Sequence, residues 1–161
     1  MHYIKMFAII DIEGIQVCKD HICIREMYIL ADDGITDYHQ EFVACSSFQQ
    51  IEEKYQKAFI FFLRFVHKLN YYPNGISEPC TSAAMRLTTF VKSNNIDVVF
   101  FKGGIIVKRL CDAAGIRCFD IGSIVPKVHI HNPRIEVYSH FHYLTLYYSK
   151  KEIEDVVAGT M

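Results

Sequence analysis

The feature that most constrains the fold is a short apolar segment near the start of the chain that ends in two acids. It reads Phe7-Ala8-Ile9-Ile10-Asp11-Ile12-Glu13-Gly14. Four consecutive apolar residues predict a strand that is covered on both faces, and we expect this first strand to span residues 3–13. Side chains two positions apart on a strand share a face, so Asp11 and Glu13 should project together from one rim of a sheet. Two carboxylates on one face are natural ligands for a divalent cation.

The rest of the chain predicts two more strands, then helices that alternate with further strands. Asp32-Asp33-Gly34 is a hairpin signal, because Asp-Gly tolerates the positive φ that tight turns need. Hydrophobic periodicity and turn residues place the later elements. The predicted strands are 22–31, 36–45, 96–101 and 118–124, and the predicted helices are 49–69, 81–93, 105–114 and about 140–157.

This order of elements resembles that of the ribonuclease-H-like fold. The resemblance implies an α/β domain in which a three-stranded antiparallel meander joins parallel strands in one mixed sheet with flanking helices. It also implies that strand one is central and that its acids lie at the active rim. The chain has 161 residues, of which 51% are hydrophobic. We therefore expect a single domain over residues 1–161.

Composition narrows the class of protein. The formal charge is −1, so no overall positive field indicates a protein that merely coats phosphates. No segment is long and apolar enough to predict a membrane helix, and no signal peptide is visible at residues 1–12. The six cysteines are scattered without a CxxC pair, and we expect reduced thiols. The expected location is intracellular, either cytoplasmic or nuclear.

Asp11-x-Glu13 on strand one resembles the first motif of the DEDD-type 3′–5′ exonucleases, which hold two metals with four carboxylates. The resemblance implies that Asp11 and Glu13 hold Mg²⁺ or Mn²⁺, with a late histidine, His140 or His142, as general base. The matching places in the helix after strand 96–101 and in residues 140–147 carry no acid. Exonuclease activity is therefore expected to be weak or absent.

A second resemblance covers Arg25 to Val43, which is similar to the start of the Maelstrom domain. That ribonuclease-H-like family has lost the DEDD acids, carries a Glu–His–His–Cys metal cluster, and is linked to small-RNA silencing and RNA binding. Glu26 and His39 stand where its first Glu and first His would be. The resemblance implies a structural Zn²⁺ site, which two of His131, His140 and His142 would complete.

Several alternatives stay open at this point. The leading hypothesis is an RNA-directed nuclease, or a nuclease-derived module that binds RNA or single-stranded nucleic acid. The alternatives are a catalytically inactive scaffold that binds a protein partner and holds a structural zinc, and a small-molecule enzyme of another α/β type. Lys102-Gly103-Gly104 could receive a phosphate at a helix N-terminus or could simply form a tight turn.

Overall fold

A computed structural model of the chain describes residues 4–18, 21–43, 52–61, 78–79, 82–128 and 132–159. The six strands are β1 (Phe7–Cys18), β2 (His21–Ala31), β3 (Asp37–Val43), β4 (Glu78–Pro79), β5 (Val98–Phe101) and β6 (Cys118–Asp120). The five helices are α1 (Glu53–Phe61), α2 (Ala83–Ser93), α3 (Ile106–Ala114), α4 (Pro133–Tyr147) and α5 (Lys150–Gly159).

β1 lies at the centre of one mixed sheet. The strand order is β4-β3-β2-β1-β5-β6, and β4 contributes only two residues at its edge. β1 pairs antiparallel with β2, where Asp11 lies opposite Tyr28, and parallel with β5, where Ile9 lies opposite Phe100. The predicted α/β class and the predicted central position of the first strand are both confirmed.

Helices cover the two faces of this sheet. On one face Ala8, Ile10 and Ile12 of β1 are buried against α2 and α3. On the other face Phe7 and Ile9 pack under α4 and α5, together with apolar side chains of those helices: Val137, Leu144, Ile153 and Val157. Burial of both faces explains why the apolar run of β1 does not alternate with polar residues until Asp11.

The hairpin between β2 and β3 forms at the predicted Asp-Asp-Gly turn. Asp33 Oδ1 accepts the backbone N–H groups of Ile35 and Thr36, each at 2.8 Å. Gly34 has φ +73°, and a Cβ atom there would lie 3.0 Å from the ring of Phe141 on α4. The turn therefore favours glycine for its left-handed backbone, and any other residue would also require a small shift of the Phe141 ring.

Three predicted boundaries are wrong. The expected helix at about 140–157 is two helices, because Pro133 begins α4 earlier and the extended Tyr148 ends it. β1 continues past Gly14 through a register shift between Glu13 and Gly14, where the prediction ended the strand. The strand predicted over 118–124 ends at Asp120, since residues 122–124 form a turn.

The predicted helix at 49–69 lies partly outside the described residues, and α1 is its described portion. The full extent of a single domain over 1–161 is likewise not described. Within the described ranges, no helix has both the length and the apolar character that a membrane crossing requires. Three cysteines in those ranges, Cys23, Cys111 and Cys118, are free thiols.

Candidate metal centre

Three carboxylates meet where β1 passes beneath the first turns of α4. Ligand oxygens of Asp11, Glu13 and Glu136 all lie within 4.8 Å of one another. Asp11 and Glu13 share a face of β1, as their spacing predicted, and Glu136 reaches them from the helix above. The structure thus brings the two predicted acids together with a third from the other end of the chain.

Local sequence explains why Glu136 occupies this position. Asn132 is the N-cap of α4, and its side chain accepts the backbone N–H of Ile135 at 3.1 Å. Pro133 follows at the start of the helix, where its missing N–H has no cost. Glu136 therefore lies near the positive end of the helix dipole, which favours a carboxylate.

The pKa of Asp11 differs strongly from the ordinary value of an aspartate. Burial raises the pKa of Asp11 to about 10, and a hydrogen bond and like charge from Glu136 add to the effect, followed by the charge of Glu13. Asp11 Oδ2 is also buried with no hydrogen-bond partner among the described residues. Without a cation, the Asp11 carboxyl is therefore protonated at neutral pH, and one of its oxygens is unsatisfied.

A divalent cation fits this set of donors. All three side chains offer carboxylate oxygen, which suits hard cations such as Mg²⁺ and Mn²⁺ and gives no particular preference for zinc. Two oxygens bound at about 2.1 Å to one ion can be no more than about 4.2 Å apart. The carboxylate oxygens lie within 4.8 Å of one another, so small side-chain movements would let all three bind one ion. A cation would also give the buried Asp11 oxygen a partner.

The residues of the predicted zinc site are only partly brought together. His39 Nε2 lies 2.6 Å from Glu26 Oε2, so the expected contact across the hairpin is present. Among the described residues, neither His140 nor His142 joins this pair in a group of three close metal-binding atoms. His131 lies outside the described residues, and the complete zinc set stays a prediction.

His140 occupies a different setting from the one expected of a general base. Its side chain is buried on α4 beside a cavity of about 370 Å³, which His142, Ser139 and Tyr143 also line. Burial, and then the charge of Lys102, lower its pKa to about 4. A neutral imidazole of such low basicity is poorly matched to proton abstraction near pH 7.

Other aspartates that could supply a fourth carboxylate have structural partners. Asp97 Oδ2 accepts the backbone N–H groups of residues 5 and 6, and Asp112 pairs with Lys108 at 2.8 Å. Asp120 Oδ1 accepts the N–H groups of Gly103 and Gly122. These contacts favour the tight-turn interpretation of Lys102-Gly103-Gly104, because one of its backbone donors is already occupied.

Glu136 is the residue that the sequence reasoning missed. The prediction began the last helix at about His140 and thereby left Glu136 outside any predicted helix or strand. Asn132-Pro133 is an N-cap followed by proline at the first helical position, a recognised sign of a helix start. That dipeptide would have placed an acid in the first turns of a helix facing the sheet.

Comparisons with protein families, with curated proteins and with solved structures find no match to this chain.

Proposed function

We propose that the chain is an RNA-directed nuclease, or a module derived from one, of ribonuclease-H-like fold, with a divalent metal at Asp11, Glu13 and Glu136. The observation that carries the proposal is the convergence of these three carboxylates, one of which, Asp11, has a buried oxygen without a hydrogen-bond partner in the described parts of the chain. A central strand that carries acids and lies between an antiparallel neighbour, β2, and a parallel neighbour, β5, is the arrangement expected for that fold.

The chain's own groups would prepare the site in two ways. β1 and α4 hold the carboxylates on regular elements, so little side-chain freedom is lost when a cation binds. Asp11 must release its proton before it can act as a ligand, so cation binding should release acid. Bound Mg²⁺ or Mn²⁺ would supply Lewis-acid stabilisation of a phosphoryl oxygen and an activated water.

Three carboxylates suit one ion better than two. Asp97, Asp112 and Asp120 are engaged in backbone or lysine contacts, as described above. A second ion would therefore be held weakly, and we expect hydrolysis of single-stranded RNA to be slow. If no hydrolysis is detected, the proposal becomes an RNA-binding module that derives from a nuclease.

Manganese binding tests the metal centre directly. We expect Mn²⁺ to bind with about one ion per chain in electron paramagnetic resonance titrations, and Glu136→Gln to weaken binding by at least about tenfold, as expected for loss of a ligand. Glu53→Gln is the matched control, because Glu53 is an exposed acid in the first turn of α1. Equal affinity in these two variants would contradict the proposed centre.

The scaffold alternative has its own signature. The short contact between His39 and Glu26 is the observation that favours a zinc site. If zinc copurifies with the protein and His39→Ala removes it, while Mn²⁺ binding is absent, the chain is better described as a zinc-stabilised scaffold. Manganese binding that survives His39→Ala would support the carboxylate centre instead.

A further inference from the structure

A cluster of cationic and aromatic side chains adjoins the three carboxylates. Arg134 and Tyr138 lie one turn apart on α4 and flank Glu136 in sequence, while Tyr28 is the cross-strand neighbour of Asp11. His39 lies opposite Tyr28 on β3. We call these four residues, Arg134, Tyr138, Tyr28 and His39, the α4–β3 platform.

The platform is already assembled. The Arg134 guanidinium carbon lies 6.0 Å from the ring centre of Tyr28 and 5.8 Å from that of Tyr138. The Tyr28 ring is 5.9 Å from both Tyr138 and His39. The Tyr28 side chain is held in place, since it is buried and its hydroxyl donates a hydrogen bond to Asp37 at 2.7 Å.

The outer members of the platform are accessible. Arg134 and His39 are exposed and Tyr138 is 37% exposed. Arg134 forms no ion pair with the part of the chain that the structure describes, so its N–H groups can receive an anion. Exposed aromatic rings beside a stacked guanidinium are suited to a base and its phosphate.

We infer that the α4–β3 platform binds single-stranded nucleic acid, with a phosphate on Arg134 and a base stacked on Tyr138 or His39, and leads the strand to the carboxylates. This inference rests on the proposed function. Acidic groups on the same face would repel the strand: Glu26, which contacts His39, together with Asp37, Glu41 and the three carboxylates. Binding should therefore strengthen when a divalent cation is present.

Fluorescence anisotropy with a labelled single-stranded RNA of about 20 nucleotides tests the inference. Binding is measured once with Mn²⁺ and once with a chelator, and gels verify that the RNA stays uncleaved. Arg134→Gln should weaken binding about tenfold and reduce the slope of log K against log salt by about 0.7, the value for one phosphate contact on a single strand. Tyr138→Leu should weaken binding by a similar factor and leave the slope unchanged.

Arg109→Gln is the matched control, because Arg109 is an exposed arginine on α3 and the substitution makes the same change in charge. Equal losses in Arg134→Gln and Arg109→Gln would overturn the platform and indicate general electrostatic attraction. Equal or tighter binding of a labelled polyglutamate peptide would overturn it in favour of an acidic protein partner.

The same experiment separates the two proposals. RNA binding that depends on Arg134 but persists in the chelator, in a protein that binds no Mn²⁺, would preserve the platform and refute the metal centre. Mn²⁺ binding that depends on Glu136, without measurable RNA binding, would refute the platform and preserve the metal centre.

Discussion

The two faces of β1 differ sharply although they belong to one strand. Beneath α2 and α3 the face is apolar throughout, with Ala8, Ile10 and Ile12 buried. Beneath α4 and α5 it is apolar only as far as Ile9, and the next side chain on that face is Asp11. The first face serves stability, since burial of alkyl groups is its main energetic effect. The second face buries fewer alkyl groups, because acids occupy two of its positions.

Truncation of a residue on the apolar face should have the largest effect on stability. Ile10→Ala is expected to lower the free energy of unfolding by about 2–5 kcal/mol, because it leaves a cavity in a closely packed layer. Urea denaturation measures the change. Ile35→Ala is the control, since Ile35 is 82% exposed and should change stability by less than about 0.5 kcal/mol. A loss below 1 kcal/mol at Ile10 would contradict the role of this face.

Replacement of Asp11 by a side chain that cannot ionise should raise stability rather than lower it. Its raised pKa means that the folded chain holds a proton that the unfolded chain releases above about pH 4. The stability that this proton provides is present at low pH and is lost as pH rises toward about 10. In the absence of metal, the wild type should therefore lose stability between pH 5 and pH 8, whereas Asp11→Asn should not. The free energy of unfolding of Asp11→Asn, measured relative to the wild type, should rise by about 2–4 kcal/mol over this interval. Parallel stability curves for the two proteins would contradict the buried acid.

His140 should have the reverse dependence on pH. Its pKa is lowered to about 4, so the unfolded chain binds a proton below about pH 6.5 that the folded chain refuses. Stability should fall as pH decreases from 6.5 toward 4, and His140→Leu should flatten this decline by about 1–2 kcal/mol. Thermal unfolding at pH 4.5 and pH 7 measures it. His142→Leu is the control, because His142 is exposed on the same helix.

Removal of the N-cap side chain of α4 should have the smallest effect on stability and should also lower the affinity for Mn²⁺. Asn132→Ala removes the acceptor for the N–H of Ile135 and should cost about 1 kcal/mol. Because Glu136 lies in the adjoining turns, Mn²⁺ affinity should also fall by a few fold. Unchanged affinity with reduced stability would show that Glu136 is held by packing rather than by the cap.

The fold could be predicted further than the site. Periodicity and turn residues located the described strands of the meander and the parallel strand β5, because these apolar segments are short, rich in β-branched and aromatic residues, and bounded by turn residues. Asp11 and Glu13 could be grouped because they share one strand. Glu136 could not be joined to them by spacing, since that contact depends on how α4 packs across the sheet. Among the described residues His140 does not join Glu26 and His39, since its side chain lines a cavity on α4 and lies near Lys102. The complete zinc set stays a prediction.

Capping residues in the sequence mark where the two C-terminal helices begin. The Ser149 N–H donates to Glu152 Oε1 and the Glu152 N–H donates to Ser149 Oγ, each at 3.1 Å, which is the capping box that begins α5. Together with Asn132-Pro133, this pair divides the C-terminal helical segment into two helices. The contact of Gly34 with Phe141 depends on three-dimensional packing and has no such sequence signal.

The carboxylates of the proposed centre come from opposite ends of the chain, β1 and α4. During synthesis β1 leaves the ribosome well before Glu136. A cation bound at this site would link β1 to α4 and would close the segment between Asp11 and Glu136 into one loop. Metal occupancy would then distinguish chains that contain α4 from chains that stop before it.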